Sequence, residues 1–360
     1  MADSTQKEKV PPSERFFAVG REEFHRVCEL GMNVACLYLV QACGTGKDNI
    51  KTIWSKTALS NYTSISRGRA TKAQRALLNS EQPLMIQTKK GKHPRFEFIR
   101  DDDSEMVWLP VTFIVGAANE TPPLELIRQT GDVMILLLTI DIYAECNIAD
   151  EGGLPRTSFY REFKKKFIAS HGAFEIYGFN PELQTAYPYH PVVKPHIKAD
   201  SGDGQCADFF DRAKTLMSLG LFFFVPTVFE SKEGAPLFPL ADPFSEERAP
   251  SEILDFAFDS LPEEYEHVLD DHDFILAFPR HFTCVMVASV LVPKYRQHTS
   301  LTAAGYAETK DRFDTWKQVY EQRKQVYEQS KPVRDEQPCN IKGISREHQG
   351  LFNGKSKVNQ

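Results

Sequence analysis

The spacing of hydrophobic and polar positions predicts two helices joined by a tight turn. In the segment SISRGRATKAQRALL, residues 64–78, the apolar positions recur every three or four residues and form one stripe of a helix: Ala70, Ala73 and Leu77. Ser66 is expected to cap that helix, because its side-chain oxygen can accept a hydrogen bond from an unpaired backbone N–H. The preceding segment KTALSNYT is predicted to form a shorter helix, and Ile65 is expected to fill the gap between the two. The sequence therefore predicts a helix-turn-helix.

Two further patterns flank this pair of helices. Upstream, REEFHRVCELGMNVACLYLVQACG predicts one long apolar-faced helix or two short ones around Gly31, and NIKTIWS predicts a short strand. Downstream, LMIQTKKGKHPRFEFI has strand-forming residues on both sides of a basic connection that contains Gly91. A glycine in such a connection indicates a β-hairpin. The predicted order is therefore helix, strand, helix, helix and hairpin.

Charge is distributed very unevenly along the chain. The 360 residues carry 43 Lys and Arg against 49 Asp and Glu, which gives a net charge of −6. The first 100 residues hold 17 basic against 9 acidic side chains, and residues 55–100 hold 10 against 2. The remainder of the chain carries a net charge of −14. A local basic face is the electrostatic pattern expected for a phosphate-rich partner.

The segments ALSNYTSISRGRATKAQRALL and LMIQTKKGKHPRFEF resemble winged-helix DNA-binding domains, over roughly residues 21–99. In that family the second helix contacts base edges, and the hairpin, or wing, contacts backbone phosphates. The resemblance implies that six residues of the second helix face the groove: Ser66, Arg67, Arg69, Thr71, Lys72 and Arg75. It implies that five residues form the DNA-facing surface of the wing: Lys89, Lys90, Lys92, His93 and Arg95. One departure is Pro83, which stands where the family usually has glycine before the first wing strand.

Residues 105–242 are predicted to form a second, interrupted winged helix. Residues 208–242 repeat the order helix, turn, strand, glycine-containing connection and strand, with Gly220 at the position of Pro83. PLELIRQTGDVMILLLTIDIYAECN predicts a long buried helix. LPRTSFYREFKKKFIAS predicts another helix, with three phenylalanines on one stripe: Phe159, Phe163 and Phe167. Residues 172–205 are interpreted as a loop inserted into this unit.

The order of elements resembles the tandem winged helices of plasmid and phage replication initiators. The stretches SRGRATKAQRALL and TPPLELIRQTGDVMILLLTIDIYAECNIADEGG are also similar to an uncharacterised group of proteins from bacteria and their mobile elements. The second wing, ESKEGA, is not basic, so the second unit need not contact DNA through its wing. Two roles stay open for this unit: binding DNA, or acting as a scaffold or dimerisation unit. The predicted fold class is α+β, with winged helices over 14–100 and 105–242 and a C-terminal α/β extension.

The C-terminal third has a different composition. Residues 243–330 are predicted to form an acidic linker and a helical region, and residues 331–360 a disordered tail. Within this region FILAFPRHFTCVMVASVLV is β-rich in composition. From Leu301 onward an amphipathic helix is predicted to place five aromatic residues on one side: Tyr306, Phe313, Trp316, Tyr320 and Tyr327. Four of these residues, Tyr306, Phe313, Tyr320 and Tyr327, are seven residues apart, and this spacing permits coiled-coil pairing. Because the segment contains only a few heptads, packing within the chain is favoured.

The sequence contains no recognisable catalytic, metal or cofactor motif. GTGK at 44–47 lacks the spacing of a phosphate loop, so a turn is expected there. The seven cysteines show no paired spacing and predict reduced thiols in a cytoplasmic protein. No signal-peptide core is recognised, and the longest apolar runs are too short to span a bilayer. We therefore expect no enzyme activity, cofactor, metal or membrane contact, although a nuclease with carboxylates from distant segments would leave no motif.

These patterns predict a non-enzymatic, nucleoid-associated cytoplasmic protein that binds specific sites on double-stranded DNA through its first winged helix. Within that class the protein is either a transcriptional regulator or a replication initiator of a bacterial or mobile element. A homodimer is also compatible with the sequence. The alternative is an interaction module in which residues 243–330 bind a host protein and the DNA-binding fold is vestigial. The negative charge outside the N-terminal unit motivates that alternative.

Overall fold

The computed structural model describes most of the chain between residues 15 and 294. The described ranges are 15–91, 93–101, 103–117, 120–146, 153–171, 174–197, 206–231, 236–239, 271–280 and 285–294, with six helical positions further on at 318, 321, 322, 325, 326 and 329. Helices and antiparallel strands occur together throughout these ranges, so the predicted α+β class is confirmed.

Helices and short strands alternate in the first hundred residues. In chain order the described elements are β1 (Phe16–Gly20), α1 (Arg21–Glu29), α2 (Met32–Cys43), β2 (Lys51–Thr52), α3 (Lys56–Thr63), α4 (Arg67–Asn79), β3 (Met85–Lys89) and β4 (Arg95–Phe98). Gly31 separates α1 from α2 with a φ of 96°, which glycine adopts without a steric penalty. Of the two alternatives left open there, the structure has two helices. The predicted short strand, both helices around Ile65 and the hairpin are confirmed.

A three-stranded antiparallel sheet completes this region, with the strand order β2, β4, β3. Lys51 pairs with Glu97 across β2 and β4, and Met85 pairs with Phe98 across β3 and β4. Phe96 and Phe98 are buried, whereas Arg95 between the hairpin turn and Phe96 is exposed. One face of the sheet therefore contributes to the core.

The second half of the described chain is richer in strands. Its elements are β5 (Met106–Pro110), α5 (Thr112–Val115), α6 (Pro123–Thr130), α7 (Val133–Glu145), β6 (Phe159–His171), β7 (Phe174–Ala186), a 3-10 turn (Lys194–His196), α8 (Ala207–Ser218), β8 (Phe222–Phe229), β9 (Pro236–Pro239), β10 (Phe274–Pro279) and β11 (Met286–Pro293). Strands β6 to β11 form an antiparallel sheet in the order β10, β7, β6, β11, β8, β9. Strand β5 pairs instead with β1.

The helix predicted over LPRTSFYREFKKKFIAS is wrong, because this segment contains β6. Strand β6 pairs with β7 along most of its length and with β11 near its start. The phenylalanines recur every four residues, and that spacing repeats a face in a strand of period two as well as in a helix. The loop predicted over 172–205 is also wrong in part, because it contains β7.

The single long helix predicted over PLELIRQTGDVMILLLTIDIYAECN is two helices, α6 and α7. Gly131 ends α6 with a φ of 76°. Asp132 then caps α7 by accepting a hydrogen bond from the backbone N–H of Met134 at 2.9 Å. Helix α7 is buried around most of its circumference, as predicted. Of the predicted second winged helix, the order helix, strand and strand after residue 206 is present in α8, β8 and β9, while residues 232–235 lie outside the described ranges.

One hydrophobic core extends across both halves of the molecule. The same buried cluster contains Phe24 of α1, Leu77 of α4, Leu138 of α7 and Leu216 of α8. Strand β1, before the predicted boundary at residues 100–105, pairs with β5 after it. Among the described helices, none combines the length and apolar character needed to cross a lipid bilayer.

Most of the C-terminal predictions fall on residues outside the described ranges. The β-rich segment at 274–292 is an exception, since it forms β10 and β11 as its composition indicated. The five aromatic positions after Leu301 lie outside the described residues, as do the tail 331–360 and most of the acidic segment proposed to bind a host protein.

Candidate nucleic-acid interface

Helix α4 is fixed against the core by a small apolar stripe. Ala70, Ala73 and Leu77 are buried, as their spacing predicted. Ser66 caps the helix, and its hydroxyl oxygen accepts a hydrogen bond from the backbone N–H of Arg69 at 3.5 Å. Ile65 is 3% exposed, so it fills the gap beneath the turn as expected. The predicted orientation of α4 is therefore confirmed.

The opposite side of α4 is cationic and open to solvent. Lys72 and Arg75 point directly away from the core, and Arg67 and Arg69 are exposed on the two flanks. Within the described part of the chain none of the four forms an ion pair. Ser66 is also exposed, whereas Thr71 is half-buried and its hydroxyl donates to the carbonyl oxygen of Arg67 at 2.8 Å. The predicted helix residues therefore lie on the solvent side and the flanks of α4, and the Thr71 hydroxyl is hydrogen-bonded to the helix backbone.

The β3–β4 hairpin carries the second set of predicted residues. Four of them are exposed: Lys89, Lys90, His93 and Arg95. Lys92 lies outside the described residues. Gly91 in the turn has a φ of 108°, a conformation that residues with a Cβ rarely adopt. Glycine therefore lets the hairpin reverse tightly between basic side chains.

A buried amide pair sets the position of α4 relative to α2. The side-chain amide of Gln41 donates to Oε1 of Gln74 at 3.0 Å and to the carbonyl oxygen of Trp54 at 3.0 Å. The amide of Gln74 in turn approaches the sulfur of Met85 at 3.8 Å. One small network therefore joins α2, α4 and the first strand of the hairpin.

A side chain of α6 is hydrogen-bonded to the turn between α3 and α4. Ser64 ends α3 in a left-handed conformation with a φ of 53°. Arg128 donates two hydrogen bonds to the Glu125 carboxylate, at 2.8 and 2.7 Å, and Gln129 donates a third. Burial raises the pKa of Glu125, but hydrogen bonds from Arg128, Gln129 and Ser64 outweigh it and hold the pKa below its usual value. The Glu125 carboxylate thus ties the turn to α6.

The sequence-based prediction missed three exposed residues of α3 and α4. Gly68 and Asn79 share the solvent side of α4 with the basic side chains, and Lys56 begins α3. The helical periodicity that placed Lys72 on the solvent side of α4 places Gly68 and Asn79 there as well, so the sequence could have identified both. Lys56 follows the cap residue Ser55, whose hydroxyl oxygen accepts from the backbone N–H of Thr57 at 3.4 Å.

Helix α8, which the sequence pattern matched to α4, presents no comparable basic face. Its exposed positions include Asp211, Lys214 and Ser218, which together carry little net charge. Arg212 is engaged, because its Nε donates to Asp132 at 3.0 Å. This surface lacks the positive charge that α4 displays.

A separate ionic cluster joins α1 to α7. Arg21 pairs with Glu105, Asp141 and Glu145 at 2.7–3.0 Å, and Nε2 of His25 lies 2.8 Å from Asp141. Asp141 is fully buried, so the cluster fixes the two helices together. Among the described residues, no group of three or more His, Cys, Asp or Glu side chains is arranged to hold a metal ion.

Comparison with known proteins finds no matching family model, no similar curated protein and no similar solved structure.

Proposed function

We propose that this chain binds double-stranded DNA through α4 and the β3–β4 hairpin. The observation that carries the proposal is the exposed basic surface of α4, whose four cations form no ion pair within the described part of the chain. Such charges attract phosphates and release counterions when they bind. The order of α2, β2, α3, α4, β3 and β4, with the sheet order β2, β4, β3, supports a winged-helix arrangement.

The geometry suits a duplex partner. A single α-helix fits the width of the major groove, and α4 is held by its apolar stripe with its charged side outward. The hairpin adds Lys89, Lys90 and Arg95, which suit contacts with the phosphate backbone beside the groove. The second unit lacks this charge on α8, so we assign the DNA contact to the first unit.

The proposed biological role is that of a transcriptional regulator or a replication initiator of a bacterial or mobile element. Both roles need a DNA contact of this kind, and they differ in the position of the bound sites. A regulator protects a promoter, whereas an initiator protects repeated sites at an origin. Footprinting on the DNA element that encodes the chain separates the two.

An unbiased selection tests the DNA proposal. The full chain is incubated with a pool of random duplexes, and the retained molecules are sequenced. We expect an enriched motif, and we expect Arg67→Ala and Lys72→Ala to weaken binding to it. Lys214→Ala is the matched control, because it removes an exposed lysine from α8. Failure to enrich any duplex, or equal weakening by Lys214→Ala, would refute the proposal.

A further inference from the structure

The outermost line of α4 contains a different set of residues from its two flanks. Four buried residues define the side that faces the core: Ala70, Ala73, Gln74 and Leu77. With about 100° of rotation per residue, the positions that point directly away from this side are Gly68, Lys72, Arg75 and Asn79. These four recur at intervals of four, three and four residues. They therefore form the line that would enter a groove first.

Arg67 and Arg69 lie on opposite flanks of that line. They are two residues apart, so their side chains leave the helix axis about 160° from each other. Both are exposed in the first turn of α4. When the outermost line faces the floor of a groove, two side chains that diverge in this way point towards its two opposite walls. Those walls carry the phosphates of the two DNA strands.

Gly68 on the outermost line has no steric role within the described chain. A Cβ built at this position meets nothing within 4 Å, and the backbone is helical. Glycine is therefore not required for packing or for backbone conformation, although it is a poor helix former. The space that it leaves open lies where a partner would approach the helix most closely.

We infer that α4 divides its contacts, so that Lys72 and Arg75 read bases while Arg67 and Arg69 bind phosphates on the two strands. The inference rests on the proposed DNA binding. Lys and Arg pair best with the O6 and N7 acceptors of guanine in the major groove. Lys72 and Arg75 are about 4.5 Å apart along the helix axis, compared with about 3.4 Å between base pairs. The preferred site therefore holds two guanines in adjacent or next-but-one base pairs, and Gly68 lets the helix approach them closely.

Parallel selections on the full chain test this division. Arg75→Ala and Lys72→Ala should each abolish the preference for guanine at one position of the motif, a loss of about 10-fold in discrimination. Arg67→Ala and Arg69→Ala should weaken binding to all sequences about equally and make the log-log salt dependence shallower by about one. Lys214→Ala is the control and should leave both quantities unchanged.

The opposite pattern would overturn the inference while leaving DNA binding intact: a changed motif with Arg67→Ala or Arg69→Ala, and an unchanged one with Arg75→Ala. Absence of any selected motif for the unaltered chain would instead refute the proposed function, and the division of contacts with it. These two failures are therefore distinguishable.

Gly68→Ala tests the close approach separately. We expect affinity for the selected duplex to fall about 10-fold, with no loss of resistance to urea. Gly46→Ala is the matched control, because a Cβ there lies 3.6 Å from its nearest neighbour and the position is exposed. Unchanged affinity in Gly68→Ala would contradict the close approach.

Discussion

Gln41 and Gln74 form a buried hydrogen bond of 3.0 Å between α2 and α4. Gln41 is fully buried and Gln74 is 9% exposed, so water competes little for these amides. The bond links α2, which is buried along most of its length, to the helix that carries the basic surface. This polar pair therefore adds to the apolar stripe of α4 in fixing the position of that surface.

We expect Gln41→Leu and Gln74→Leu to be non-additive in their effects on stability. Gln41→Leu removes the donor to Oε1 of Gln74, and Gln74→Leu removes one of the two acceptors of the Gln41 amide, so each change should lower the free energy of unfolding by about 1–3 kcal/mol. The double variant should lose less than the sum, with a coupling of about 1 kcal/mol. Urea unfolding of the four proteins measures the coupling, and strictly additive losses would show that the pair does not act as a unit.

Ser66→Asp should separate folding from DNA binding. Aspartate is as good an N-cap as serine, and its charge is favourable at a helix N-terminus, so the free energy of unfolding should be unchanged or slightly higher. The same charge lies on the cationic surface and should weaken binding to a duplex several-fold. Ser55→Asp at the start of α3 is the comparison. Thermal unfolding and duplex titration check both, and unaltered affinity in Ser66→Asp would contradict the placement of the surface.

Gly44→Ala should disturb the connection between α2 and α3. A Cβ at Gly44 would lie 2.2 Å from Cγ of Trp54, whose ring stacks on Tyr62 of α3 at a centroid distance of 5.2 Å. Relieving that overlap requires the Trp54 ring to move, which should cost about 1–3 kcal/mol of stability. Gly46→Ala, two residues away, should cost far less, and a near-UV circular dichroism spectrum reports on the tryptophan. Equal stability of the two variants would argue against the packing described.

The local features of the N-terminal unit were predictable because each depends on neighbours in sequence. Ser66 caps the turn that follows it, and the burial of Ile65 follows from the two short helices on either side. The large sheet was not predictable in the same way. Phe159 packs on Phe209 of α8, and Phe163 packs on Phe274 of β10, more than 100 residues further along the chain.

Strand β7 was missed because its sequence contains residues typical of turns. Gly178 and Pro181 lie inside it, and both usually interrupt strands. The structure gives the reason for the glycine. A Cβ at Gly178 would lie 2.4 Å from the ring of His272, so only glycine allows that ring to pack on the strand. Sequence alone does not reveal a contact between residues 94 positions apart.

The His196 side chain should make the folded protein less stable as the pH is lowered. Burial, followed by the charge of Arg212, lowers the pKa of His196 to about 4 in the folded chain, below about 6.5 when unfolded. Between those values the unfolded state binds one more proton, so the free energy of unfolding should fall by about 1.4 kcal/mol per pH unit below pH 6.5. Urea unfolding at pH 7, 6 and 5 should show a smaller decline for His196→Gln than for the unaltered chain. Identical declines would contradict this assignment.

The central claim is that the exposed basic surface of α4 and the hairpin binds DNA phosphates. The most direct measurement is the affinity of the full chain for a selected duplex between about 50 and 200 mM salt, compared with Lys89→Ala/Lys90→Ala and Lys214→Ala. We predict a steep linear fall of log affinity with log salt, a slope shallower by about two for the hairpin variant, and no change for Lys214→Ala. An affinity that is independent of salt, or a slope that is the same in all three proteins, would contradict the claim.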